Sequence, residues 1–96
     1  MQTIEEHFED SIFRYDQIER QGMIAIYSQT HKASGTQRYE VVRVRVRPPY
    51  IFPSGKSLPE HEAYPSAHAW GQDGWTFHAL LEARRHYLSL GREIPA

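Results

Sequence analysis

From Tyr39 to Arg47 the chain reads Tyr-Glu-Val-Val-Arg-Val-Arg-Val-Arg and then meets Pro48-Pro49. Val42, Val44 and Val46 alternate with Arg43, Arg45 and Arg47. A period of two belongs to a β-strand, whose successive side chains point to opposite faces. Neither proline can donate a ladder hydrogen bond, so the strand ends there. A chain of 96 residues built on such a strand needs a sheet, and the sheet needs a layer to cover its apolar face.

The rest of the chain supplies candidates for both. Met23 to Tyr27 is a second β-prone run, and His31-Lys32-Ala33-Ser34-Gly35-Thr36 between the two suits a hairpin with a longer loop. Trp75-Thr76-Phe77 reads as a short third strand. Residues 1–20 read as an amphipathic helix: Thr3 caps it, Glu6 completes a capping box, Gly22 stops it, and Ile4, Phe8, Ile12, Tyr15 and Ile18 fall on one stripe. A second helix is expected over residues 78–90, with Leu80, Ala83, Tyr87 and Leu90 as its apolar line, broadened by Leu81 and Leu88, and Gly91 at its end. Five of the six prolines lie between Pro48 and Pro65, a density that permits only a loop, with a two-stranded excursion through Ile51 and Leu58. Residues 65–71 suit one helical turn capped by Ser66. The expected fold is therefore α+β, in the order α-β-β-loop-β-α: a three-stranded antiparallel sheet with both helices packed on one face, in one small domain over residues 1–96.

Residues 39–88 also carry Tyr64-Pro65-Ser66, Trp70-Gly71, Gly74-Trp75-Thr76-Phe77 and Glu82-Ala83. In this series they resemble small uncharacterised bacterial and phage proteins with a Y-P-S, W-G, G-W-T-[FY], E-A pattern after a basic strand. The resemblance implies an origin on a mobile genetic element and brings no reaction with it.

Chemistry is constrained mostly by what is missing. Without cysteine there is no disulfide scaffold, thiolate nucleophile or Cys-based zinc site. The six histidines lack metal-ligand spacing, the serines lack a nucleophile-elbow context, and no phosphate-cradling loop is present. No cofactor or metal is expected, and an enzyme is the third choice. The absence of an apolar run of about 18 residues, together with a polar N-terminus, predicts a cytoplasmic protein with no membrane association.

The formal charge of −1 hides an uneven layout. Residues 1–20 hold two basic and six acidic groups, residues 21–58 six basic and one acidic, and residues 59–96 three basic and five acidic. Arg43, Arg45 and Arg47 are expected to form a stripe on one sheet face, which either contacts phosphates or an acidic protein or is a solvated or self-covered surface. Phe13 stands alone on the acidic face of the first helix. Trp70 and Tyr64, with Tyr50 and Phe52, either line a groove beside the proline-rich loop or pin that loop down. These readings make Arg43, Arg45, Arg47, Phe13, Trp70 and Tyr64 the candidate partner-binding residues. A non-catalytic protein-interaction or regulatory module comes first, and a nucleic-acid-binding sheet second. The oligomeric state stays open.

Overall fold

The computed structural model describes residues 2–93. The continuous apolar stretch Ile24-Ala25-Ile26-Tyr27 and the pair Val41-Val42 are buried on both faces of their strands, which requires a sheet covered on both sides. That sheet has five antiparallel strands: β1 (His7–Glu9), β2 (Phe13–Gln21), β3 (Ile24–His31), β4 (Gln37–Arg43) and, joining last, the chain's final strand (Gly74–Phe77). The chain makes four shorter strands in between: β5 (Arg45–Arg47) pairs with β8 (His61–Ala63), and β6 (Tyr50–Ile51) pairs with β7 (Ser57–Leu58), so the final strand is β9. A 3₁₀ turn (Ala67–Ala69) precedes β9, and one helix, α1 (Leu80–Glu93), follows it.

The expected three-stranded sheet with two helices on one face is therefore wrong, and the first helix is where it fails. Residues 7–21 form two strands joined by a turn at Asp10, whose carboxylate accepts from the amides of Ile12 and Phe13, both at 2.7 Å. The first twenty residues contain no alanine or leucine but seven β-branched or aromatic residues, a composition that suits a pleated surface better than a helix. Ile12 and Ile18, assigned to the helix's core stripe, are exposed. Gly22 has a φ of 60° that a helix stop and a tight hairpin both require; here it turns β2 into β3.

Further departures follow from the same sheet. The alternating run is not one strand: it leaves the sheet at Val44, whose amide donates to the Met23 carbonyl at 2.7 Å, and resumes as β5 in a separate sheet. The Ser66 side chain makes no cap bond to the 3₁₀ turn. The helix runs through Gly91, with Leu81 and Leu88 facing solvent.

On one face of the sheet, Ile24, Ile26 and Val41 meet Ala83, Tyr87 and Leu90 of α1, flanked by Tyr39, Trp75, Phe77 and Leu80. On the other, Ala25, Tyr27 and Val42 lie under Phe8, Tyr15, Tyr64 and Trp70. No helix among the described residues is long and apolar enough to cross a membrane.

Candidate functional site

The face opposite the helix is aromatic because alternate positions of three neighbouring strands put rings there. Tyr15 on β2 pairs with Gln29 on β3, and Phe8 on β1 pairs with Tyr15, so Phe8 and Tyr15 stack with centroids 4.7 Å apart. Tyr64, arriving just after β8, meets Tyr27 edge-on at 5.3 Å and lies against Trp70 at 6.4 Å. Trp70 can come so close because Gly74 has no side chain: a Cβ there would sit 2.4 Å from the indole.

Beneath these rings lies a carboxylate. Glu40 is 6% exposed and accepts from the Tyr64 hydroxyl at 2.6 Å and from the Thr76 hydroxyl at 3.4 Å. Thr76 in turn accepts from the Trp70 indole N–H at 3.0 Å. Burial pushes the Glu40 carboxyl above the usual carboxylate range, while its two hydroxyl donors pull it down. The Tyr64 phenol is driven well above its ordinary value by burial and by the neighbouring Glu40. The pair is an acceptor matched to its donor, and an open cavity of about 320 Å³ lined by Tyr15, Glu40, Tyr64, Pro65, Ala67 and Trp70 lies beside it.

Further along the same face, toward the β3–β4 loop, a second cavity of about 250 Å³ is lined by Phe13, Gln29, His31, Ser34, Thr36 and Arg38. Phe13, assigned to the acidic face of a helix, thus stands on a sheet beside His31, edge to face at 5.6 Å.

The three arginines belong to two strands, β4 and β5, and all three help to hold the Asp73 carboxyl below its usual range, Arg45 first. Arg43 ends β4 and lies over the Trp75 ring at 5.7 Å. Arg45 grips the Asp73 carboxylate with two nitrogens, one of them 3.1 Å from its oxygen, and that fork holds the Asp73 carboxyl below its usual range. Arg47 sits in β5 opposite His61 and is exposed. Elsewhere, Arg20 forks onto Glu62 with both contacts at 2.7 Å, tying β2 to β8. That bond holds the Glu62 carboxyl down to about 2.

Beyond β5 the chain makes a hairpin that pairs with no other strand among the described residues. Tyr50 and Ile51 pair with Leu58 and Ser57, and Gly55 turns the tip at a φ of 89°. Tyr50, Ile51 and Phe52 are 55%, 74% and 44% exposed, with Val46 exposed nearby. Arg45, Arg47 and Lys56 make residues 45–58 basic, with no acidic residue among them.

Sequence reasoning named Phe13, Tyr64 and Trp70 but missed Glu40, Arg38, Gln29 and His31. The signal for two of these was present: Arg38, Glu40 and Val42 share a parity on β4 and hence a face. Among the described residues no group of three His, Asp or Glu side chains converges as a metal site would. No family model, no curated protein and no solved structure matches the chain.

Proposed function

We propose that the chain is a cytoplasmic, non-catalytic protein-interaction module that docks through the β6–β7 hairpin on an apolar protein surface with an acidic rim. The observation that carries this reading is the run Tyr50-Ile51-Phe52, exposed on a two-stranded hairpin that no other strand among the described residues extends. A lone hairpin is marginally stable in water, and contiguous exposed aromatic and aliphatic side chains are the material of interface anchors. Arg47 and Lys56 add a basic rim, which speeds encounter and selects partners by charge. A nucleic-acid surface is less well supplied: the Arg45 guanidinium is already engaged by Asp73, and the exposed positions around it include the apolar Val46, Tyr50, Ile51 and Phe52.

A tagged chain, incubated with nuclease-treated extract of its own cell, should retain a protein partner that the Ile51→Ser/Phe52→Ser variant releases. Retention that survives in the variant, or that vanishes on nuclease treatment and returns with added RNA or DNA, would overturn the reading in favour of another surface or of nucleic acid.

A further inference from the structure

The cavity at the β3–β4 end of the sheet lies at the opposite end of β4 from the hairpin and has its own chemistry. Its floor comes from three neighbouring strands: Phe13 of β2 pairs with His31 of β3, and Gln29 of β3 pairs with Arg38 of β4. Its wall is the connecting loop. That loop is held in shape by the His31 amide bonding the Thr36 carbonyl at 2.9 Å, the Gly35 amide bonding the His31 carbonyl at 2.8 Å, and the Lys32 amide bonding the Ile12 carbonyl at 2.9 Å. Gly35, with φ at 76°, makes the turn. The polar groups are preset as well. The Ser34 amide donates to His31 Nδ1 at 3.1 Å, so the ring's N–H is on Nε2. The Gln29 amide nitrogen donates to the Tyr15 hydroxyl at 3.1 Å, which fixes that side chain across the floor.

The charges are one-sided. No acidic residue lines the cavity, and among the described residues no carboxylate pairs with Arg38. The arginines at 20 and 45, by contrast, are each forked onto a carboxylate. A single unpaired guanidinium matches one carboxylate bidentately, whereas a dianionic phosphate draws in additional cations. The Phe13 ring adds an apolar wall. At about 250 Å³ the space falls short of the roughly 300 to 1,000 Å³ typical of drug-sized sites, which restricts the occupant to a small molecule.

We propose that this cavity binds a small aromatic monocarboxylate, its carboxylate on the Arg38 guanidinium, its ring against Phe13, and its remaining oxygen lone pairs met by the Thr36 hydroxyl, whose oxygen accepts from Ser34, or by the N–H of His31. No covalent step is involved. The binding is independent of the hairpin, so either reading can fail alone.

The probe is sodium benzoate, followed through backbone amide shifts of the full chain, with benzamide, acetate and inorganic phosphate as comparators. Benzoate should give saturable shifts at residues 29–38, while benzamide, lacking the charge, and acetate, lacking the ring, should each bind markedly more weakly. Arg38→Gln should weaken benzoate about tenfold or more, the worth of a charge-assisted hydrogen-bond pair, without moving the melting temperature, because Arg38 is exposed on its strand. Phe13→Leu, which keeps an apolar side chain but removes the ring, should weaken benzoate and leave acetate unchanged. No saturable shift with benzoate, an unchanged affinity in Arg38→Gln, or phosphate binding as tightly as benzoate would each overturn the proposal.

Discussion

The two faces of the central sheet are covered by different means. On the helix side, Ile24, Ile26 and Val41 are sealed by Ala83, Tyr87 and Leu90, with the His86 ring set against Trp75 at 4.4 Å and Phe77 at 5.5 Å at the cluster's edge. The opposite side is roofed by rings and fastened by polar clamps: Tyr64 and Thr76 on Glu40, and Arg20 on Glu62, whose carboxylate also accepts from the Ile4 amide at 3.1 Å. A helix can lay a continuous apolar stripe on a sheet, so its seal needs no hydrogen bonds. The other cover is a set of short strands and loops with too little apolar surface to seal, so it is held at points, and the spaces between the points are the cavities.

If that contrast is right, the largest single loss should come from the helix side. Leu90→Ala should destabilise the fold by about 3 kcal/mol through lost burial and the cavity left behind, measured by denaturant unfolding, with little dependence on pH. A loss under about 1 kcal/mol would mean that the helix is a loosely attached cover.

The clamps should be smaller and pH-dependent. Glu62 is held down to about 2 in the folded chain from an ordinary value of 4.5, so its stabilisation is fully present above the ordinary value and is lost as pH falls through that window. Glu62→Gln should therefore cost about 2 to 3 kcal/mol at neutral pH and flatten the stability profile between about pH 5 and pH 2. An unchanged acid limb in the variant would remove the clamp from the comparison.

Glu40 is raised by burial, so its ionised form opposes folding, and stability from this group is lost as pH rises through its folded value. Tyr64→Phe deletes a donor to that carboxylate and should cost about 1 to 2 kcal/mol at neutral pH, shrinking as pH falls and Glu40 takes up a proton. Melting curves across pH should thus show both variants approaching the parent chain as pH falls, the Glu62 variant because the parent loses its clamp and the Tyr64 variant because Glu40 takes up a proton. A cost that stayed constant with pH in either variant would show that its carboxylate carries no pH-dependent share of the stability.

The smallest effect belongs to the hairpin, outside both covers. Ile51→Ser should change stability by less than about 0.5 kcal/mol, because the side chain is 74% exposed. A larger loss, read from the same unfolding curves, would make Ile51 part of the fold rather than an anchor for a partner.

How much of this was legible depended on whether a signal was local. Gly22 and Gly55 announced turns because only glycine readily takes a positive φ, whatever the elements on either side. The proline-dense stretch 48–65 allowed strands of no more than three residues, and Ile51 and Leu58 fall in paired strands there. The apolar line Leu80, Ala83, Tyr87 and Leu90 has a period that only a helix presents on one side, and it is the side that packs. Residues 1–20 carried no such unambiguous period. Ile4, Phe8 and Ile12 are four apart, which satisfies a helical stripe, yet they are also all even-numbered, which satisfies one face of a strand. The odd-numbered Phe13 and Tyr15 that follow mark the parity change across the Asp10 turn, whereas the helical reading kept Tyr15 on its stripe and left Phe13 as an outlier.

Tertiary structure decided the rest. By itself the chain determined where it turns, where it cannot extend and which face of its last helix is apolar, since these follow from one residue's sterics or one segment's period. It did not determine which arginines would be engaged: Asp73 lies 28 residues from Arg45, and Glu62 lies 42 from Arg20. Nor did it determine that Arg38 would stand beside Phe13 with no carboxylate partner among the described residues. Pairings over such separations depend on which strands become neighbours, and that was set by the choice between helix and hairpin at the N-terminus, where local energies nearly balance and burial against the growing sheet breaks the tie.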